Sequence, residues 1–296
     1  MARARPTTIR TAAAGYVRPR RTGLVALAVP SLNEPYFAEL ASRFIASASR
    51  SGLSIVLHET HSDREREVQI VNGVDVPAVD GLIHVPRALQ VADLTRRSVP
   101  GPMVLLGEPA PASPFCHVTI NNETAGRMAA DHLFEVGCTA VAMIGPRDET
   151  PSVAADRRLD GYYAALRARG CPVDPGLIAP VHEFSPEEGA RVMRLLLEAS
   201  RPPDGVVCSS DSIALGALSV LAADPGRPRV RVVGIDDIHQ ARFTSPALSS
   251  IAPDKETLVD EAIRLLLAQI DAPPASDPPV EQVVVPVQLV ARASSR

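Results

Sequence analysis

The residues able to do chemistry recur in one kind of place, directly after short apolar runs. "GLVALAVP" (23–30) leads to Ser31, Asn33 and Tyr36, and "PMVLLGEP" (102–109) carries Gly107 and Glu108. "HVTIN" (117–121) leads to Asn121 and Asn122. "DGVVCSS" (204–210) ends in Ser209 and Ser210 before Asp211, and "VRVVGIDD" (230–237) ends in Asp236 and Asp237. Small polar and carboxylate groups of this kind orient hydroxyls or amines in a cleft. They do not make a reaction centre. GxSxG, HExxH, GxxxxGK[ST] and GxGxxG are all absent. Asp236 and Asp237 invite a metal or acid/base reading, but neighbours at a strand end point in opposite directions and rarely share one ligand. His58, His61 and His84 are scattered in or beside strands, where a structural role is the default. Cys116, Cys138, Cys171 and Cys208 lack CxxC spacing, so free thiols are expected and a zinc site is not. No catalytic residue, metal or cofactor is expected.

These residues need elements to hold them. The apolar runs alternate with stretches at helical spacing. "YFAELASRFIASASRSG" places Phe37, Leu40, Phe44, Ile45 and Ala48 on one face, with Gly52 to end the helix. "ETAGRMAADHLFEVG", "VAADRRLDGYYAALRARG", "DSIALGALSVLAA" and "DKETLVDEAIRLLLAQI" follow as helices. "SPEEGARVMRLLLEA" opens with Ser185 and Glu188 at capping-box spacing. Such alternation predicts an α/β protein, because parallel strands need crossover helices. Two successive series predict two doubly wound parallel-sheet lobes, whose ligands lie beyond the carboxyl ends of the strands.

The chain has 296 residues, 46% apolar and 22% charged, with a net charge of −4. Residues 1–22 hold six Arg and no acid, which leaves 24 basic and 34 acidic residues, a net of −10, for the body. An acidic body has no general attraction for nucleic acid; any such attraction belongs to the basic strip. Arg18, Arg20 and Arg21 before "GLVALAV" imitate the start of a signal peptide. No A-x-A site follows, however, and cleavage there would remove a strand, so a cytoplasmic protein is expected. No apolar run reaches the roughly 18 residues of a membrane span.

Several segments in order resemble the effector domain of the lactose-repressor (LacI/GalR) family of transcriptional regulators. They are "RTGLVALAVPSLNEPYFAEL", "VDGLIHVP", "NNETAGRMAADHLFEVGCTAVAMIGP", "RRLDGYYAALRARGCPVDPGLI", "CSSDSIALGAL", "VVGIDDIHQARFTSPALSSI" and "VVVPVQLVARAS". The resemblance covers about residues 22–294. It implies a periplasmic-binding-protein-like pair of lobes joined by three crossovers, near Ile120–Asn121, Ile251–Pro253 and 272–281. The N-terminal lobe would then hold 23–120 and 252–280, and the C-terminal lobe 121–251 and 281–293.

It also implies an interlobe effector, sugar-like or nucleoside-like. Tyr36 and Phe37 sit where the family packs aromatics against the ligand. Arg158, three before Gly161, matches an arginine gripping ligand oxygens. Phe184 matches a stacking aromatic, Ser210 stands where Asn is frequent, and Asp236 matches the ligand-binding carboxylate. Asn33 and Glu108 complete the candidate set. The family's strand-end Asp-Arg is here Gly107–Glu108, and Pro253 replaces a frequent Gln. Loss of that cation leads us to expect a ligand with an amine or many hydroxyls rather than an acidic one.

The family's DNA-binding head is a helix-turn-helix with a hinge helix. "RTAAAGYVRP" resembles only its last helix and turn, so residues 1–22 are expected to be a basic remnant in which Arg18, Arg20 and Arg21 touch phosphate weakly. Such contacts position without specifying sequence. A homodimer, operator DNA for the full-length regulator and no membrane partner are the expected associations. The alternative is a sugar-binding protein of a transporter, which shares the fold.

Overall fold

The strand Leu24–Val29 (β1) shows how the first lobe is layered. Val25, Leu27 and Val29 face one side and Ala26 and Ala28 the other, and all five are buried. A strand buried on both faces requires helices on both. In the computed structural model, which describes residues 21–74, 78–99, 101–108, 113–147, 152–224, 226, 228–273 and 279–296, these helices are in place.

The first lobe runs β1, α1 (Pro35–Arg50), β2 (Ser54–Glu59), α2 (Arg64–Val71), β3 (Gly81–His84), α3 (Val91–Thr95), β4 (Met103–Leu106) and β5 (Cys116–Ile120). The chain then crosses into α4 (Asn122–Glu135), β6 (Val141–Arg147), α5 (Val153–Ala168), β7 (Ile178–Val181), α6 (Pro186–Glu198), β8 (Gly205–Cys208), α7 (Asp211–Ala222), β9 (Arg231–Ile235) and β10 (Ser249–Pro253). It returns through α8 (Lys255–Asp271) and β11 (Gln282–Val285), then crosses again into β12 (Val287–Val290).

The sheet orders are β11-β5-β4-β3-β1-β2 and β12-β10-β9-β8-β6-β7. All described pairings are parallel except β10 with β12. This is the doubly wound, two-lobed architecture that the alternation predicts.

Three details depart from the sequence reading. β11 pairs in parallel with β5, Gln282 beside His117, so it belongs to the first lobe and the third crossover falls at Pro286 rather than at 272–281. "VVVPV" is thus two short strands in different sheets, and proline, lacking an N–H, marks the switch. α3 and β7 are additions: α3 has only five residues, and β7 is an edge strand that tolerates its Pro180. Ser185 does cap α6 by accepting the Glu188 N–H. The Glu188 carboxylate does not reciprocate; it accepts the His182 N–H and pairs with Arg191.

The faces of the first sheet differ. Phe44 and Leu266, from α1 and α8, cover one side, and Ile70 and Leu94, from α2 and α3, the other. His84 is fully buried on the second side, where burial pushes its pKa down to about 4. In the second lobe, α4 and α5 meet at backbone contact. A Cβ on Gly126 would lie 1.9 Å from the Arg158 carbonyl oxygen, and one on Gly161 2.0 Å from that of Glu123. Only glycine permits this approach, and it fixes where α5 presents Arg158. Among the described residues no helix is long and apolar enough to cross a membrane.

Candidate ligand-binding cleft

The carboxyl ends of both sheets open onto one cavity of about 450 Å³. Seven of the eight candidates line it: Tyr36, Phe37, Glu108, Arg158, Phe184, Ser210 and Asp236. Asn33 does not. It sits exposed in the turn before α1, its backbone N–H bonded to the Ser31 hydroxyl, and its neighbour Glu34 faces the cavity instead.

Arg158 is the hub of the polar wall. Its guanidinium is buried, donating from Nε to the Asn122 side-chain oxygen at 2.8 Å and from Nη1 to the Ser209 carbonyl. Nη2 lies 3.8 Å from a carboxylate oxygen of Asp236. That is too long for a direct charge-assisted hydrogen bond, so the two charges face one another across a gap. Asn122 also donates to Glu108 at 2.8 Å, which joins the lobes. Ser210 caps α7 by accepting the Ile213 N–H; its hydroxyl is committed as an acceptor but keeps its own proton.

Asp236 is held by an unusual backbone. Asp236 and Asp237 have φ values of 116° and 45°, the left-handed region that non-glycine residues avoid. Surrounding bonds fix it. The Asp236 N–H donates to the Ile251 carbonyl, the Asp237 N–H to the Ser250 hydroxyl, and the Ile238 N–H to the buried Asp211 carboxylate, each at 2.9 Å. The strain turns Asp236 toward Arg158 and Asp237 away, to Arg292 at 2.6 Å. The adjacent acids therefore do not share a site. Burial pushes the Asp236 pKa up to about 6, against the pull of Arg158, Lys255 and Arg87. Among the described residues no group of three or more His, Cys, Asp or Glu is placed to hold a metal.

The aromatic wall is completed by a cation that the sequence reading lacked. Arg87, just after β3, stacks over Phe37 at 5.3 Å and over Phe184 of the other lobe at 5.7 Å. It stands near Glu34, 3.9 Å away. A cation of the first lobe therefore does line the cleft, from the end of β3 rather than of β4. Its position after an apolar run was the available signal. Asn122 had the same signal and was noted as polar, but not among the candidates. Phe37 packs edge-on against Tyr36 at 5.2 Å; it is a core residue whose ring also borders the cavity. Burial, then the charge of Asp236, push the Tyr36 pKa up.

Arg18 and Arg20 lie outside the described residues. Arg21 pairs with Asp271 in an exposed ion pair, so it does not stand as a free cation.

This geometry can be set beside known proteins. Residues 130–295 match the family described as "Periplasmic binding protein-like domain". The "HTH-type transcriptional repressor CytR" of Escherichia coli (strain K12) is 30% identical over 258 residues, 86% of this chain and 74% of that protein. The chain belongs to the LacI/GalR family. A solved structure described as a putative LacI-family transcriptional regulator from Sanguibacter keddieii is 32% identical, with TM-score 0.83 over 93% of this chain and 99% of that one. Another, the "transcriptional regulator CelR-cellobiose complex", is 31% identical, with TM-score 0.78 over 93% and 85%. The LacI/GalR assignment makes the two lobes the ligand-sensing domain of a transcriptional regulator, and the cleft between them the place where the ligand is sensed. The transporter alternative is not favoured, since these relatives are regulators.

Proposed function

We propose that the cleft binds a neutral, hydroxyl-rich effector, a sugar or nucleoside, and that this binding controls how a dimeric regulator holds its operator DNA. The observation that carries the reading is the Arg158–Asp236 gap. A ligand hydroxyl placed there accepts from the guanidinium and donates to the carboxylate, replacing a loose 3.8 Å contact with two short bonds. Asn122 and Ser210 supply further polar groups, while Phe37, Phe184 and Arg87 offer flat surfaces to a ring. The acids Glu34, Glu108 and Asp236 outnumber the arginines Arg87 and Arg158 among the lining groups, which disfavours an anionic ligand. The cellobiose complex of a relative supports a sugar.

Titration calorimetry with cellobiose, glucose, ribose, cytidine, gluconate and glucose 6-phosphate tests this. Neutral compounds should bind and the two anions should not; tighter binding of either anion overturns the reading. A mobility-shift assay on the full-length regulator, with and without the ligand so found, then tests control of DNA binding, and sedimentation tests the dimer.

A further inference from the structure

We infer that the cavity has a second chamber, built to take a flat aglycone carrying a hydrogen-bond donor, so that the effector is a glycoside rather than a free sugar. The inference rests on the sugar reading above. The strand-end groups that fit a sugar ring, Arg158, Asp236 and Asn122, lie between the lobes. The same cavity continues over the α3 side of the first sheet. Side-chain alternation shows this. In β5, Cys116, Val118 and Ile120 face α1 and α8, so His117 and Thr119 face the other way. Leu105 of β4 and Leu94 of α3 belong to that second face, and Val91 begins α3 beside it. All five of His117, Thr119, Leu105, Leu94 and Val91 line the cavity.

Polar side chains line the chamber as well: Gln90 beside Val91, Thr119 and His117. His117 is 2% exposed. Its Nδ1 lies 2.9 Å from the Phe115 carbonyl oxygen, so Nδ1 carries the proton and Nε2 is left as an acceptor. Nε2 has no hydrogen-bond partner among the described residues. The Thr119 hydroxyl donates to the Ile120 carbonyl, so its oxygen too is left as an acceptor. An acceptor at the cavity wall without a protein partner is open to a ligand N–H or O–H. Leu94, Leu105 and Val91 give the chamber apolar surface for a flat ring, and the acceptors beside them suit a single donor on it.

The test is calorimetry on the 296-residue chain with methyl, phenyl and 4-hydroxyphenyl β-glycosides of glucose, xylose and ribose. For at least one sugar the phenyl glycoside should bind about tenfold or more tightly than the methyl glycoside. The 4-hydroxyphenyl glycoside should bind more tightly again. Val91→Trp, at an exposed helix start where folding is tolerant, should erase the phenyl gain and leave methyl glycoside binding unchanged. His117→Phe should remove only the preference for the hydroxyl. Equal affinity for methyl and phenyl glycosides, or equal weakening of both by Val91→Trp, overturns the chamber while the sugar reading stands. Failure of every glycoside to bind overturns the sugar reading and the chamber with it.

Discussion

The two walls of the cleft are built by different means. The second lobe's wall is tied down before any ligand arrives: Arg158 is bonded to Asn122 and Ser209, and α5 is locked to α4 through glycine contacts. Asp236 is held in a strained backbone by Ile251, with Ser250 and Asp211 fixing the next two residues. The first lobe's wall is a set of rings and a stacked cation, Tyr36, Phe37 and Arg87, which meet one another and Phe184 opposite. Polar recognition needs preset geometry, because a hydrogen bond weakens steeply with misalignment. Stacking tolerates small shifts. The comparison assigns orientation of the ligand to the second lobe and its enclosure to the first.

The sharpest way to break this division is at Arg158. Arg158→Lys keeps the charge but loses the fork that spans Asn122, Ser209 and Asp236. Effector affinity measured by calorimetry should fall by about 100-fold or more, consistent with loss of a buried charge-assisted array. Phe184→Leu, which retains apolar cover, should cost much less. If the two variants lose equally, the walls do not differ as described.

Gly161→Ala strikes the same wall from behind. Its methyl group would meet the Glu123 carbonyl at 2.0 Å, so α5 must move and carry Arg158 with it. Urea unfolding should show a loss of about 1–3 kcal/mol, and ligand affinity should fall as well. Gly170→Ala makes a useful contrast: nothing lies within 4 Å there, but φ is +65°, so only backbone strain in the free loop is added. Its stability loss should leave affinity unchanged.

The pH dependence separates the walls next. The Asp236 carboxyl titrates at about 6 in the folded chain, above the ordinary 3.8. Between those values the folded protein keeps a proton that the unfolded chain has lost. The stability that this group contributes is therefore fullest below about pH 4 and is lost as pH rises through 6. Ligand binding runs the opposite way if the carboxylate accepts a hydroxyl: affinity should fall below pH 6, by at most about tenfold per unit. Calorimetry from pH 5 to 8 checks this. Asp236→Asn should flatten the profile, and a slope that survives it would move the titrating group elsewhere.

The contrast between walls also explains what could be read from the sequence. Alternating apolar runs and helical spacings carried the two-lobe fold, since they are local patterns. Arg158 and Phe184 were reached through motif order, and Asp236 also from its place at a strand end. Asn33 was not separable from Glu34, because which turn residue faces inward depends on how α1 enters the lobe. Arg87 was missed because its partners, Phe37 and Phe184, come from two other segments and meet only across the cleft. β11 was assigned to the wrong lobe for a related reason. "VVVPV" has strand composition throughout, and only pairing with β5, about 165 residues earlier in the chain, decides the sheet.

The smallest expected effect concerns the contacts that set the distance between the walls. Glu39 of α1 accepts the His239 N–H of the second lobe at 2.5 Å and the Lys255 ammonium at 2.6 Å. Lys255, at the start of α8, also donates at 3.1 Å to the carbonyl of Asp237, the second residue of the strained pair that presents Asp236. This small network ties the first lobe to the back of the polar wall without touching the ligand's place. Glu39→Gln keeps the acceptor for His239 but removes the charge opposite a buried ammonium. If the first lobe merely encloses a preset second lobe, the variant should widen the free protein's distribution in small-angle scattering and weaken the effector only about threefold to tenfold, within the range for long-distance coupling. Its pH profile should shift to lower pH, because the Glu39 charge is one of the groups that raise the Asp236 pKa. A loss as large as that of Arg158→Lys would show that the polar wall is not preset, and that its geometry exists only when the lobes are held together.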